Sequence, residues 1–256
     1  GVDCDSDWSS IELYESNIAW ILNHYKVIPL EKAIHLIGSG KRIKKRYAVL
    51  TFDDGYASVL NALVVLERYN LPATLFVNSA YLGDKSYSPV NAYNYVMAQP
   101  EEEKVNLPKS LVKACSDLAK VQAPDEYKQA VHIINENINY IQPTGQVYLT
   151  LHELQSLNTN LFTIALHGHE HLMSTFSSDN EFVDNINKNI AALSIFPNYK
   201  PYFAFPFGNT DDSKTRITES IGLKPVLCNG LKYERKNRSV CRIPVDGLDL
   251  SKLKIL

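Results

Sequence analysis

Apolar positions along the chain follow two alternating periods. Over residues 9–25, Ile11, Leu13, Ile18, Ile21 and Leu22 recur at helical spacing and lead into the short apolar run Val27-Ile28-Pro29-Leu30. Further helices are expected over 30–39 and 57–69, and later over 180–194 and 212–221. Between them lie unbroken apolar runs of strand length. Ala73-Thr74-Leu75-Phe76-Val77 reads as a strand buried on both faces, and others are expected at 162–166, 202–205, 225–228 and 239–243. Strands alternating with helices predict parallel βα units and an α/β fold. Residues 84–150 break that rhythm. Helical periodicity at 91–98, 109–120 and 125–139, separated by Pro100, Pro108 and Pro124, reads as a helical insertion beside the strand ends. Its Tyr87, Tyr93 and Tyr95 would either wall a sugar site or pack the insertion down.

At 256 residues and 45% hydrophobic content the chain is long enough for one α/β domain with a sizeable core. A net charge of −2 gives no overall electrostatic case for nucleic acid or an anionic membrane. The basic run Lys41-Arg42-Ile43-Lys44-Lys45-Arg46 reads as a solvated loop, with a phosphate-bearing glycan as the alternative. Cys4, Cys115, Cys228 and Cys241 lack the spacing of a structural zinc cluster. No signal segment opens the chain and no run of about 18 apolar residues occurs, so it reads as soluble with no transmembrane segment. Gly1 suggests a processed or trimmed N-terminus, and the compartment stays open between cytoplasm and envelope.

Two clusters carry chemistry. Val49-Leu50-Thr51-Phe52-Asp53-Asp54-Gly55 delivers adjacent carboxylates to a glycine turn, where both ionise comfortably only with a cation or proton between them. Ile164-Ala165-Leu166-His167-Gly168-His169-Glu170-His171 ends another apolar run in three histidines, two of them four apart. Alone, Asp-Asp-Gly is more often a turn, and His-x-x-x-His is common on helices. Together, one Asp and two His form a three-ligand set that leaves positions open on zinc or a similar ion, and the other Asp is free to act as a base.

At these residues the chain resembles the polysaccharide deacetylases, carbohydrate esterase family four with its chitooligosaccharide-deacetylase homology domain. Thr51 to Gly55 matches the family's first motif, and His167 to His171 matches its second. Phe203-Ala204-Phe205-Pro206-Phe207-Gly208 is similar to the third, whose usual form is Arg-x-Pro-Tyr-Gly. The resemblance covers most of the chain from about residue 46. It implies a distorted (β/α)7-type barrel with Asp53 as general base and Asp54, His167 and His171 as metal ligands. The backbone N–H of Phe207 would help to form the oxyanion site, and Tyr56, Pro206 and Gly208 would line the substrate. The implied cofactor is a divalent metal, zinc first, with cobalt, nickel or manganese as alternatives. The implied partner is a glycan carrying acetylated sugars.

Two departures stand out. Ala204 occupies the place of an arginine that orients the catalytic Asp in many members, and no histidine follows His171 to protonate the leaving amine. His169 is the candidate acid, with a solvated or merely supporting loop histidine as the alternative. The Ala204 form resembles a branch acting on exopolysaccharides and envelope glycans. Three readings follow: an N-deacetylase of amino sugars in a surface polysaccharide or lipid-linked glycan, an O-acetyl esterase, and a non-catalytic metal-containing glycan binder.

Overall fold

The short buried runs become parallel strands, and the amphipathic segments become the helices that cover them. A computed structural model describes residues 11–40, 44–83, 87–118, 120–141, 145–227, 240–242 and 249–252. Strands β1 (Lys26–Val27) and β2 (Tyr47–Ala48) pair with each other. Strands β3 (Leu50–Phe52), β4 (Ala73–Val77), β5 (Phe162–Leu166), β6 (Tyr199–Ala204), β7 (Lys224–Leu227) and β8 (Val240–Cys241) form a parallel sheet in chain order. Only Val49 separates β2 from β3, so the two act as one interrupted strand in a curled path of parallel strands. The α/β class and distorted barrel expected from the sequence are what the chain adopts.

The helices are α1 (Ile11–His24), α2 (Leu30–Gly38), α3 (Val59–Arg68), α4 (Pro89–Ala98), α5 (Glu101–Lys104), α6 (Lys109–Leu118), α7 (Pro124–Glu136), α8 (Leu151–Gln155), α9 (Asp179–Leu193) and α10 (Asp212–Ser220). Local chemistry sets several starts. Thr150 with Glu153 and Ser178 with Glu181 form reciprocal capping boxes on α8 and α9. Ser88 caps α4, whose first residue is Pro89.

Strand alternation divides the core. Phe76, Ala165, Ala204 and Val226 face the inside of the curl with Leu30, whereas Leu75, Val77, Ile164, Leu166 and Phe203 face the helices against Leu63, Leu66, Phe182 and Ile186. The insertion has its own small core, built from Val96, Leu111, Cys115, Ile134 and Ile141. Burial pushes the Cys115 thiol up to about 12, which fits a packing role. Tyr87 belongs to this core at 5% exposure and meets Tyr95 at 5.5 Å; Tyr93 and Tyr95 pack against the same cluster. The sugar-stacking wall of Tyr87, Tyr93 and Tyr95 is therefore corrected: the insertion needs these rings to fill its interior.

The chain leaves the insertion beside the Asp-Asp-Gly turn. Leu149 N donates to Gly55 O at 2.8 Å and Ala57 N to Val147 O at 2.9 Å, around an antiparallel bridge between Tyr56 and Tyr148. Lys44, Lys45 and Arg46 are exposed and lead into β2, while Lys41 to Ile43, Cys4 and Cys228 lie outside the described residues. Among the described residues, no helix is long and apolar enough to cross a membrane.

Candidate active site

The turn after β3 is forced into an unusual backbone. Asp54 and Gly55 both lie in the left-handed region, at φ 69° and 78°. A Cβ on Gly55 would approach Val77 Cγ1 to 3.0 Å, so glycine answers both the dihedral and the close strand contact. For Asp54 the conformation costs on the order of 1–2 kcal/mol. His171 and Phe207 are left-handed too, at φ 55° and 58°. Three of the four left-handed non-glycine residues described thus gather at one place, as backbone strain does at functional sites.

The histidine segment follows β5 and is held by three asparagines. Asn78 Nδ2 donates to His167 O at 2.6 Å and to Gly168 O at 3.2 Å. From α9, Asn189 Oδ1 accepts from His167 N at 3.1 Å and Asn185 Oδ1 from His169 N at 2.8 Å. A Cβ on Gly168, at φ 80°, would meet Asn185 Oδ1 at 2.9 Å. His167 is 2% exposed, and its Nδ1 lies 2.8 Å from Ala204 O. A proton on Nδ1 that bonds this carbonyl leaves Nε2 as a lone-pair donor facing the carboxylates.

His167 Nε2 and His171 Nε2 lie 3.3 and 3.1 Å from Asp54 Oδ1. The three ligand atoms all fall within 4.8 Å of one another. Two ligands at about 2.0–2.1 Å from one tetrahedral ion are about 3.3 Å apart, so the observed spacing fits a shared divalent cation. A second observation agrees: Asp54 Oδ1 is buried and accepts no hydrogen bond, which is costly unless a cation satisfies it. Burial opposes ionisation of Asp54, but His171 and His167 outweigh it and hold the carboxyl well below its ordinary range.

Asp53 points to a different partner. Arg242, just after β8, donates from Nη1 to Asp53 Oδ1 and from Nη2 to Asp53 Oδ2, the latter at 2.8 Å. The guanidinium sits 5.0 Å over the Phe76 ring, with the side chain 12% exposed. A two-pronged, half-enclosed pair of this kind fixes the carboxylate plane. Asp53 Oδ2 is 3.8 Å from His167 Nε2, so the held carboxylate borders the ligand cluster.

Phe207 is half exposed, and its ring meets His171 edge to face at 4.5 Å. Pro206 is buried, and Gly208 closes the turn with its N–H on Phe205 O at 3.0 Å. His169 turns to Ser79, with Nδ1 2.9 Å from Ser79 Oγ. Tyr56 lies against Asp54 and donates to Asn91 Oδ1 at 2.9 Å.

Sequence reading missed Arg242, Asn78, Asn185 and Asn189. Asn185 and Asn189 did leave a signal: they are polar residues four apart on a helix face shared with Phe182, Ile186 and Leu193, all five buried. Arg242 left none, because it meets Asp53 across 189 residues of chain.

The sequence profile described as polysaccharide deacetylase matches residues 40–226. The chain is 23% identical over 214 residues to the poly-beta-1,6-N-acetyl-D-glucosamine N-deacetylase of Staphylococcus aureus, covering 82% of this chain and 57% of that protein. It thus spans a little over half the length of that curated relative. Its fold is similar to that of IcaB from Ammonifex degensii, with TM-score 0.63 and 14% identity over 94% of this chain and 86% of the other. It is also similar to a de-N-acetylase from Aggregatibacter actinomycetemcomitans, with TM-score 0.60 and 16% identity over 96% and 88% of the two chains. With the family profile matching well over half of its length, the chain belongs to the polysaccharide deacetylase family.

Proposed function

We propose that this chain is a divalent-metal-dependent hydrolase that removes N-acetyl groups from amino sugars of a surface polysaccharide or lipid-linked glycan. The observation that carries the reading is the pairing of Arg242 with Asp53 beside the Asp54, His167 and His171 cluster. A glycan binder that only needed the metal would require neither Asp53 nor a guanidinium to aim it. The activity that the name of the Staphylococcus aureus relative states, on an N-acetylated glucosamine polymer, favours an amide over an ester.

In this reading Asp54, His167 and His171 hold the metal, zinc first among candidates, and it supplies Lewis acidity that polarises an acyl carbonyl and acidifies water. Asp53, aimed by Arg242, takes the proton of the attacking water on a carboxylate oxygen. The Phe207 N–H donates to the oxyanion that develops at the carbonyl. His169 delivers a proton to the leaving amine, with Ser79 fixing its ring. Tyr56, Pro206 and Gly208 border the sugar.

Acetate release from N-acetylglucosamine oligomers and from acetylated xylan, by the zinc-loaded chain, tests the substrate class. Release from the oligomers supports the N-deacetylase reading. Release from xylan alone would replace it with an O-acetyl esterase.

A further inference from the structure

The turn Pro206–Gly208 is strained and has to be held from outside. Phe207 and Gly208 are both left-handed, at φ 58° and 64°, a backbone that a phenylalanine keeps only where its surroundings impose it. Two hydrogen bonds close the turn on itself, Gly208 N to Phe205 O at 3.0 Å and Asn209 N to Pro206 O at 2.9 Å. Neither says where the turn stands relative to the histidines.

That placement comes from ties on both sides of Phe207. Before it, Ala204 O lies 2.8 Å from His167 Nδ1. After it, Asn209 reaches the short turn Ser174–Phe176, which follows His171. Asn209 Oδ1 accepts from Thr175 N and from Thr175 Oγ1, each at 2.9 Å, and the fully buried Ser174 Oγ donates to Asn209 O. A backbone N–H only donates, so the side-chain atom that faces it is the amide oxygen, and the two donors fill its two lone pairs. Between the ties, the Phe207 ring meets His171 at 4.5 Å.

We propose that Asn209 is a positioning residue for the reaction: it locks the Pro206–Gly208 turn to the segment after His171, and so fixes the Phe207 N–H beside Asp54, His167 and His171. This rests on the reading of the Phe207 N–H as the donor to the oxyanion. The oxyanion forms only as the carbonyl is attacked, so a displaced donor costs rate and leaves binding of the ground state alone. Asn209 touches none of the three proposed ligands, so the metal stays when it is changed.

The test is steady-state acetate release from N-acetylglucosamine oligomers, with zinc affinity measured by chelator competition, for wild type, Asn209→Leu, Asn209→Asp and Thr175→Val. Asn209→Leu keeps the size and removes the acceptor. It should lower kcat about 100-fold, the cost of misplacing a group by about 1 Å, with KM and zinc affinity unchanged. Asn209→Asp returns an oxygen to the same place and should recover most of the rate, a rescue that a general loss of stability would not show. Thr175→Val removes one of the two donors, and its kcat should fall between wild type and Asn209→Leu. A wild-type kcat in Thr175→Val or in Asn209→Leu overturns the proposal, as does an Asn209→Asp as slow as Asn209→Leu. A loss of zinc that accounts for the lost rate also overturns it, since Asn209 would then act on the ligands. A zinc-loaded wild type that releases no acetate overturns the functional reading, and the proposal with it.

Discussion

Arg242 changes what the loss of an arginine at position 204 means. The side chain at 204 is a methyl facing the inside of the curl, yet Asp53 still meets a guanidinium, delivered by the last described strand. If orientation of Asp53 is what matters, Arg242→Ala should lower kcat about 100-fold, the scale on which a misplaced catalytic group costs rate, with zinc content unchanged. Arg242→Lys should recover little, since an ammonium cannot hold both carboxylate oxygens in one plane. A wild-type rate in Arg242→Ala would remove the arginine from the account. His167 carries a pH prediction. Burial disfavours its protonation, but the charges of Asp53 and Asp54 outweigh burial and raise its pKa above the ordinary histidine value. Protons then compete with the metal on Nε2, so apparent zinc affinity should rise with pH through and above the mid-6 range, with proton release on binding. In the metal-free chain the sign for stability is opposite: the ion pairs of protonated His167 stabilise below its unfolded pKa, and that contribution is lost as pH rises through the folded one. An affinity flat with pH would contradict the assignment of Nε2 as a ligand. At this scale the two carboxylates and the histidines were legible because each cluster lies within a few residues of chain, after an apolar run. Arg242 and the asparagines that hold the loop act across the fold.

Elements differ in how fully the pattern announced them. The apolar runs at 73–77 and 162–166 are strands to the residue, because both are buried on both faces and leave no doubtful ends. Strand β6 starts three residues before its apolar run, at Tyr199 rather than Tyr202, since Lys200 and Pro201 lie on the partly exposed end. Its pairing with β5 also shifts register between Ile164 and Leu166, which no sequence period encodes. The tyrosines of the insertion misled for a related reason: periodicity places a ring on a face without saying what covers that face. Helix α9 is the element on which the site leans most, through Asn185 and Asn189. Lys128 and the Ser178 backbone and hydroxyl hold its capping Glu181 down at about 2, although the group is exposed and its ion pair is worth little. Ser178→Ala should therefore cost about 1 kcal/mol of stability by denaturant titration, mostly from the lost cap. Asn189 is fully buried, accepts from His167 N and donates to Val77 O and Ser79 Oγ at 3.1 and 2.9 Å. Asn189→Ala should cost about 1–3 kcal/mol and weaken zinc binding, because it orphans the groups that hold the His167 backbone. Unchanged stability and zinc affinity in that variant would show the loop to be held from elsewhere.

Across the whole molecule, the parallel sheet brings together strand ends that are more than 100 residues apart in sequence. Asp53 and Asp54 follow β3, His167 follows β5, Pro206 and Phe207 follow β6, and Arg242 follows β8. That convergence at the carboxyl ends of strands gathers the proposed catalytic set from separate segments, and it is the part of the fold that the alternation of periods predicted. The insertion adds a wall that the alternation could not place: the pairing at Tyr56 and Tyr148 sets it beside the group of Asp54, His167 and His171. The most direct test measures zinc content and acetate release together, on wild type and Asp53→Asn, with N-acetylglucosamine oligomers as substrate. The account predicts one equivalent of zinc in both proteins and acetate from wild type alone. Equal acetate release by Asp53→Asn, or loss of its zinc, would contradict the division of roles between Asp53 and Asp54 on which the account stands.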